Sequence, residues 1–286
     1  MMKKTATLFD KLTDVALRDR REYAPLRPVV EKELLHRDIL REMSAGGFLK
    51  DLTFMGGICL RLCHGSPRLS EYLGFTGGFA FKKDDLADLG RHLEKSIHAK
   101  YGLAVKVAEP VREDGNVSTW KIRMVTRPES ASLPAQRIHV DICALPSHER
   151  RPVMLKDLYG LDAGSSGLIV GAESLDEILV DKIIALGNRP NRIKQRDVWD
   201  IVWLNRLNIT LNRSLLARKL DDRSINPKTF GDTYAKRLDD LQNGQVDFLF
   251  EMRRFLASSA FDEQFNSPLW WEHALAVLRA LGGASE

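Results

Sequence analysis

A pair of glycines, Gly56 and Gly57, follows the apolar run from Leu52 to Met55 and precedes a short helical segment, Ile58 to His64. Because glycine has no Cβ atom, backbone N–H groups at such a turn can approach an anion closely. A helix that starts there adds the positive end of its dipole. The segment therefore predicts a phosphate-binding turn.

The next run, Arg68 to Thr76, is predicted to be a strand whose side chains alternate between two faces. Ser70, Tyr72 and Gly74 then share the face that looks toward whatever the glycines hold. Glu71 lies on the opposite face, which makes it a poor metal ligand beside them.

Another predicted strand, 136–145, carries polar residues on one face. Alternation directs Arg137, His139, Asp141 and Cys143 away from the core. Taken alone, Asp141 is most simply an acid on a half-exposed strand. His139 could act as a general base, but a histidine on a polar face is more often a hydrogen-bonding neighbour.

A lysine falls inside the apolar stripe of the helix predicted for 174–188. Ser174 and Glu177 form a capping box at its start. Lys182 lies seven residues after Leu175, so its side chain either extends outward past the apolar residues or meets an anion. The spacing alone leaves both possibilities open.

A charged run, 192–200, opens the next predicted helix, 195–207. Asp197 and Asp200 are one helical turn apart and can share a face. Three cations of the run suit phosphate binding: Arg192, Lys194 and Arg196. A solvated helix start is the ordinary explanation of such a run.

The elements that must position these residues change in kind near residue 172. Before it the periodicity predicts helices at 5–22, 29–44 and 82–101 and strands at 103–109, 117–127, 136–145 and 168–173. After it only helices are predicted: 174–188, 195–207, 213–220, 228–243, 245–258 and 268–281. We therefore expect a mixed α/β domain with N-terminal helices, 1–172, and a helical domain, 173–286.

Four motifs, in this order, resemble the AbiEii-type toxin branch of the polymerase-β-like nucleotidyltransferases. They are the glycine pair with RLSEYLGF and TGG after it, Asp141, DKIIAL at 181–186, and RIKQRDVWDI at 192–201. The resemblance covers roughly residues 30–205. It implies a polymerase-β-like nucleotidyltransferase sheet core followed by a C-terminal helical bundle.

The resemblance also implies a function: a toxin of a toxin–antitoxin or phage-defence operon that transfers NMP from an NTP to a cellular acceptor, tRNA in some relatives. Such transfer uses a pair of Mg²⁺ ions held by converging carboxylates. By the family's pattern Asp141 is one of these carboxylates, and Lys182 and Asp197 belong to the active site. The implied nucleotide-binding residues are Gly56, Gly57, Ser70, Lys182 and Arg196.

This sequence departs from the family's strand, which reads R-x-S-x-D-x-D-F. Tyr72 and Gly74 stand where the family has its two metal-binding aspartates, and Ala80 stands where many relatives have another. Since Mg²⁺ can be held by one carboxylate together with substrate phosphates, Asp141 would still support weak nucleotide–Mg²⁺ binding. Efficient transfer is not expected, so the chain should be inactive or nearly so.

The composition is that of a soluble globular protein, with 44% hydrophobic and 29% charged residues in a chain of 286. A net charge of +4 permits an RNA or nucleotide partner without requiring one. Asp10 interrupts any N-terminal signal peptide, and no run approaches the roughly 20 apolar residues of a membrane span. We therefore expect a cytoplasmic protein with no membrane partner.

Three cysteines, Cys59, Cys63 and Cys143, form an odd and sparse set, which indicates a reducing compartment. Cys59, Cys63 and the adjacent His64 could suggest zinc, but a fourth ligand at suitable spacing is missing. Small buried hydrophobic side chains are the better interpretation of the two helical cysteines.

Two other functions are compatible with the sequence. The first is a non-catalytic nucleotide- or RNA-binding protein on the same scaffold. The second is a helical interaction module whose partner contacts lie in 205–286, where Trp270 and Trp271 form either a bundle core or a partner surface. In a toxin, the expected protein partner is a cognate antitoxin.

Overall fold

The computed structural model describes residues 6–110, 115–127, 135–161, 164–190, 192–267 and 269–282. The chain forms two compact units: Met1–Gly65 with Leu69–Ala172, and Ser66–Arg68 with Glu173–Glu286. No helix in the described ranges combines the length and the apolar character that crossing a membrane requires.

The first unit contains helices and a seven-stranded mixed sheet. Its helices are α1 (Leu8–Leu17), α2 (Arg27–Ala45), α3 (Gly56–Leu62) and α4 (Leu89–Tyr101), with 3₁₀ helices at Arg21–Leu26 and Lys83–Leu86. The strands are β1 (Thr53–Met55), β2 (Tyr72–Thr76), β3 (Val105–Ala108), β4 (Val117–Met124), β5 (Gln136–Cys143), β6 (Arg150–Met154) and β7 (Ile169–Glu173). Their order in the sheet is β3-β4-β5-β2-β1-β7-β6.

Alternating side chains give β4 and β5 one buried and one open face. Trp120 and Ile122 on β4 and Ile138 and Val140 on β5 are at most 2% exposed. Helix α2 packs against β5 and α4 packs against β3. Burial of these apolar side chains fixes the register, because a slip by one residue would turn them all to solvent.

The second unit is helical. Its helices are α5 (Leu175–Asn188), α6 (Gln195–Arg206), α7 (Arg213–Asp221), α8 (Pro227–Leu241), α9 (Gln245–Met252), α10 (Ser258–Phe265) and α11 (Leu269–Gly282). Trp270 stacks on Phe248 with ring centroids 4.8 Å apart, and Trp199 lies 6.1 Å from Trp270. Trp270 and Trp271 are buried, so they belong to the core of the bundle.

The predicted fold class, mixed α/β followed by helices, is confirmed. Several predicted elements were wrong in extent. The strand predicted from Arg68 begins at Tyr72, and Ser66–Arg68 belongs to the second unit. The helix predicted for 245–258 ends at Met252, and α10 follows it as a separate element. The first helix is also shorter than 5–22, since the chain continues past Leu17 into a 3₁₀ helix.

Strand β6 was missed altogether. Its sequence, RRPVM, is almost fully exposed and contains Pro152, which cannot donate a hydrogen bond to a neighbouring strand. The strand lies at the edge of the sheet, where proline is tolerated. An exposed edge strand lacks the apolar alternation by which sequence patterns reveal a strand.

Candidate functional site

The glycine turn lies where β1 ends and α3 begins. Met55 precedes the helix in an extended conformation, and Gly56 has a φ of 76°, in the left-handed region that favours glycine. The structure therefore explains the first glycine by backbone geometry. Ser70, predicted to face the same turn, is buried. Phosphate binding by these residues stays a prediction.

Asp141 lies on the open face of β5, half-buried, and accepts a hydrogen bond from Thr119 Oγ of β4 over 2.8 Å. Strands β2 and β5 are parallel, and Gly74 is the register partner of Asp141. Neighbouring strands are about 4.8 Å apart. A carboxylate on residue 74 would consequently stand directly beside that of Asp141.

Gly74 has room for such a side chain. A Cβ atom built on it would meet Met55 Cγ at 3.5 Å, an ordinary van der Waals contact, and its φ lies outside the left-handed region. Tyr72, two residues earlier on the same face, is 43% exposed, and its ring centroid lies 5.6 Å from that of His139. Tyr72 and Gly74 thus both lie on the face that bears Asp141.

The residues present do not fit a pair of Mg²⁺ ions. No group of three or more His, Cys, Asp or Glu side chains suited to a metal occurs within the described ranges. Glu71 cannot compensate, because its carboxylate is paired with Lys32 of α2 over 2.7 Å. Ala80 lies in an exposed turn after β2 rather than on the strand. The role of Asp141 as the remaining metal-binding carboxylate stays a prediction.

In the second unit, Lys182 of α5 joins two carboxylates of α6. Its Nζ atom lies 2.8 Å from both Asp197 Oδ1 and Asp200 Oδ2. Arg68 binds Asp200 through Nε and Nη2 over 2.9 and 2.8 Å, and Arg189 Nη1 lies 2.6 Å from Asp197 Oδ2. These five side chains, Arg68, Lys182, Arg189, Asp197 and Asp200, are called the charge cluster below.

Two members of the charge cluster, Lys182 and Asp197, have pKa values shifted toward their ionised forms. Burial alone would lower the pKa of Lys182, but Asp197 and Asp200 raise it above its ordinary value. Burial would likewise raise the pKa of Asp197, and the adjacent Lys182 and Arg189 depress it well below its usual range. Three cations face two carboxylates, so the charge cluster has a net charge of +1.

The structure shows which anions Lys182 and Arg196 contact. Lys182 does meet an anion, namely the carboxylate pair of Asp197 and Asp200, which share a face of α6 as predicted. Arg196 points elsewhere: it binds Glu251 over 2.9 Å and its guanidinium carbon lies 4.4 Å from the Phe255 ring centroid. Contact of either cation with a nucleotide stays a prediction.

Sequence reasoning missed Arg68 and Arg189. Arg68 opens the RLS motif and was assigned to a strand, whereas its guanidinium belongs to the charge cluster. The available signal was the position of Asp200 among the apolar residues of α6. The structure shows that Asp200 is fully buried, and a buried carboxylate requires a cationic partner.

Comparison with known proteins decides the family. Residues 38–268 match the family model described as "Nucleotidyl transferase AbiEii toxin, Type IV TA system". The chain belongs to the AbiEii nucleotidyltransferase toxin family. The match spans most of this AbiEii chain and confirms the resemblance on which the motif assignments depend.

A solved structure shares the fold of this AbiEii protein. MenT4, a nucleotidyltransferase toxin from Mycobacterium tuberculosis H37Rv, aligns with a TM-score of 0.55 at 14% identity over 96% of this chain and 94% of that one. JHP933 from Helicobacter pylori aligns with a TM-score of 0.47 at 15% identity over 90% and 91% of the two chains. A comparison with curated protein sequences finds no match.

Proposed function

We propose that this AbiEii chain is a toxin-type nucleotidyltransferase whose transfer of NMP from an NTP to an RNA acceptor, tRNA in the first instance, is impaired by Tyr72 and Gly74. The observation that carries the proposal is the register of Gly74 with Asp141, since the carboxylate lost from the family's pattern belongs directly beside the one that remains. A cognate antitoxin, a cytoplasmic location and a role in phage defence follow from the family as parts of the same proposal.

In the family's reaction the acceptor hydroxyl oxygen bonds to the α-phosphorus, the bond to pyrophosphate breaks, and the hydroxyl proton passes to solvent. Divalent ions would activate the attacking oxygen and neutralise the triphosphate. Asp141 by itself provides too few ligands for both tasks. This chain's own residues would therefore bind and orient a nucleotide without completing the transfer efficiently.

Each unit contains residues that are proposed to bind nucleotide. Gly56, Gly57 and Ser70 are proposed to contact phosphates through the turn before α3 and the segment before β2. Lys182 and Arg196 are the proposed cationic ligands. The net positive charge of the charge cluster supports the assignment of Lys182 as a nucleotide ligand. A cluster with more cations than carboxylates favours binding of an additional anion. Asp197 is proposed as the residue that orients Lys182.

The test is transfer of labelled nucleotide to total RNA. We compare the chain as it stands, the variant Tyr72→Asp/Gly74→Asp, and the matched control Tyr72→Asn/Gly74→Asn, which has the same shape without the added charge. Transfer by the aspartate variant alone is expected. Transfer by all three, or by none, would overturn the proposal of an impaired transferase.

The alternative is a non-catalytic nucleotide- or RNA-binding protein on this scaffold. The specific observation in its favour concerns Tyr72, which stands where the family has a metal-binding aspartate. Its ring contacts the ring of His139 instead. Under this alternative the aspartate variant stays inactive, while the unaltered chain binds nucleotide in equilibrium dialysis.

A further inference from the structure

The open face of β3, β4 and β5 carries four exposed cations. Lys106, Arg123 and Arg137 form one row across the three strands, since Lys106 pairs with Arg123 and Arg123 pairs with Arg137. Lys121 lies in the next row, opposite His139. All four cationic side chains are exposed, and with His139 they line a shallow trough of about 480 Å³. Lys106, Lys121, Arg123 and Arg137 are called the basic face below.

The basic face is unfavourable for the sheet itself. Like charges directly opposite one another on neighbouring strands are destabilising. Within the described parts of the chain, none of the four side chains makes an ion pair or a hydrogen bond. An anionic ligand with several regularly spaced charges would remove the repulsion, and a phosphate backbone has that chemistry.

Aromatic rings adjoin the basic face on the side toward Asp141. His139 follows Arg137 on the same face of β5, and the exposed ring of Tyr72 contacts it. Unstacked bases bind on such rings while cations hold the backbone, which is how proteins bind single strands. The combination favours a single strand over a duplex, whose bases are stacked on one another.

The basic face and the proposed transfer site lie along the same face of β5. Along β5 the open-face residues are Arg137, His139 and Asp141, so the row of cations lies about 13 Å from the Asp141 row at the ordinary rise of a strand. Asp141 is the register partner of Gly74. A nucleic-acid strand bound on the basic face could therefore present its end to Asp141 and Gly74.

We propose that the basic face binds the sugar–phosphate backbone of a single-stranded nucleic acid and directs its end toward Asp141 and Gly74. The assignment of that end as the acceptor rests on the proposed function; backbone binding does not.

The experiment measures fluorescence anisotropy of a labelled single-stranded RNA oligonucleotide with the unaltered chain and no NTP present. The test variant changes Lys106, Lys121, Arg123 and Arg137 to Gln. The matched control changes two exposed lysines and two exposed arginines on or beside helices of the same unit to Gln: Lys11, Lys95, Arg18 and Arg21. Both variants lower the net charge by the same four units.

We expect the test variant to weaken binding by about tenfold or more and to flatten the dependence of log K on log salt by about 3, at roughly 0.7 per phosphate contact. The control should remain within about twofold of the unaltered chain. A melting temperature within a few degrees of the parent establishes that each variant is folded; if the quadruple variant is not, Lys121→Gln/Arg137→Gln replaces it. Equal losses in test and control, or no loss in the test variant, would overturn the proposal.

The result is separable from the proposed function. Because the readout is binding without nucleotide, loss of the RNA signal says nothing about transfer by the Tyr72→Asp/Gly74→Asp variant. Conversely, an inactive aspartate variant that still binds RNA through the basic face leaves this inference standing.

Discussion

Gly74 of β2 is the register partner of Asp141 of β5, in adjacent parallel strands of the first unit. The alternation of β2 turns Leu73 and Phe75 into the core and leaves Gly74 on the face of Asp141. Under the proposed function, the backbone therefore keeps residue 74 at the position of a metal ligand, and only the side chain differs from the family's pattern.

Gly56 and Gly74 should respond differently to replacement by alanine. Gly74→Ala should change the free energy of unfolding by less than about 1 kcal/mol, because its φ is ordinary and a Cβ finds space. Gly56→Ala should cost about 1 to 2 kcal/mol, because its φ is 76°. Urea unfolding of both variants measures the difference. A larger cost at Gly74 than at Gly56 would contradict the assigned geometry.

The second prediction is a pH dependence from the charge cluster. The folded-state pKa of Asp197 is depressed by Lys182 and Arg189, so its stabilising contribution is complete above the ordinary carboxylate pKa, about 3.9, and is lost as pH falls further. Asp197→Asn should lower the free energy of unfolding at pH 7 by about 2 to 3 kcal/mol.

The difference in free energy of unfolding between the parent chain and Asp197→Asn should shrink as the pH falls below about 4. Denaturant unfolding at a series of pH values gives the profile. A constant difference down to the lowest pH would show that the asparagine variant is destabilised by something other than charge. The exposed acid Asp14, changed to Asn, serves as the control and should show a much smaller effect.

The third prediction concerns Lys219, which is fully buried in the second unit. Its Nζ atom lies 3.3 Å from Glu173, 2.8 Å from Glu177 and 2.6 Å from Asp181. Burial lowers the pKa of Lys219, but the carboxylates raise it above its ordinary value, so the side chain is charged. Glu173 and Glu177 are buried, whereas Asp181 is partly exposed and also pairs with Arg223 over 2.9 Å. Removing Lys219 therefore leaves two buried acidic side chains without their shared cation.

Lys219→Met should therefore destabilise the chain by about 3 to 5 kcal/mol. Its control, Arg218→Met, changes an exposed cation on the same helix and should cost less than about 1 kcal/mol. Both values come from urea unfolding followed by circular dichroism. Similar costs for the two variants would contradict the importance of the buried ion pairs.

The sequence predicted much of the fold where one face of an element is buried. Strands β4 and β5 were found because Trp120 and Ile122, or Ile138 and Val140, alternate with polar residues along a sheet with one apolar face. Strand β6 escaped because an exposed edge strand has no such pattern. The break after Met252 escaped because the apolar residues Phe255 and Leu256 continue past the helix end and are buried there.

The candidate site was predictable residue by residue but not as a set of contacts. An apolar stripe interrupted by Lys182 predicted either solvent or an anion, and spacing along α6 placed Asp197 and Asp200 on one face. The partnership of Arg68 with Asp200 joins residues 132 positions apart. Local periodicity carries no information about such a pair, so only the folded chain reveals it.

If this scaffold lacks only the two carboxylates beside Asp141, restoring them should restore a Mg²⁺ site. Isothermal titration compares the unaltered chain, Tyr72→Asp/Gly74→Asp, and the same variant with Asp141→Asn. We predict that the two aspartates tighten Mg²⁺ binding at least tenfold, about 1.4 kcal/mol, and that Asp141→Asn abolishes the gain. Unchanged affinity in the aspartate variant, or a gain that survives Asp141→Asn, would show that residues 72, 74 and 141 do not form a metal site.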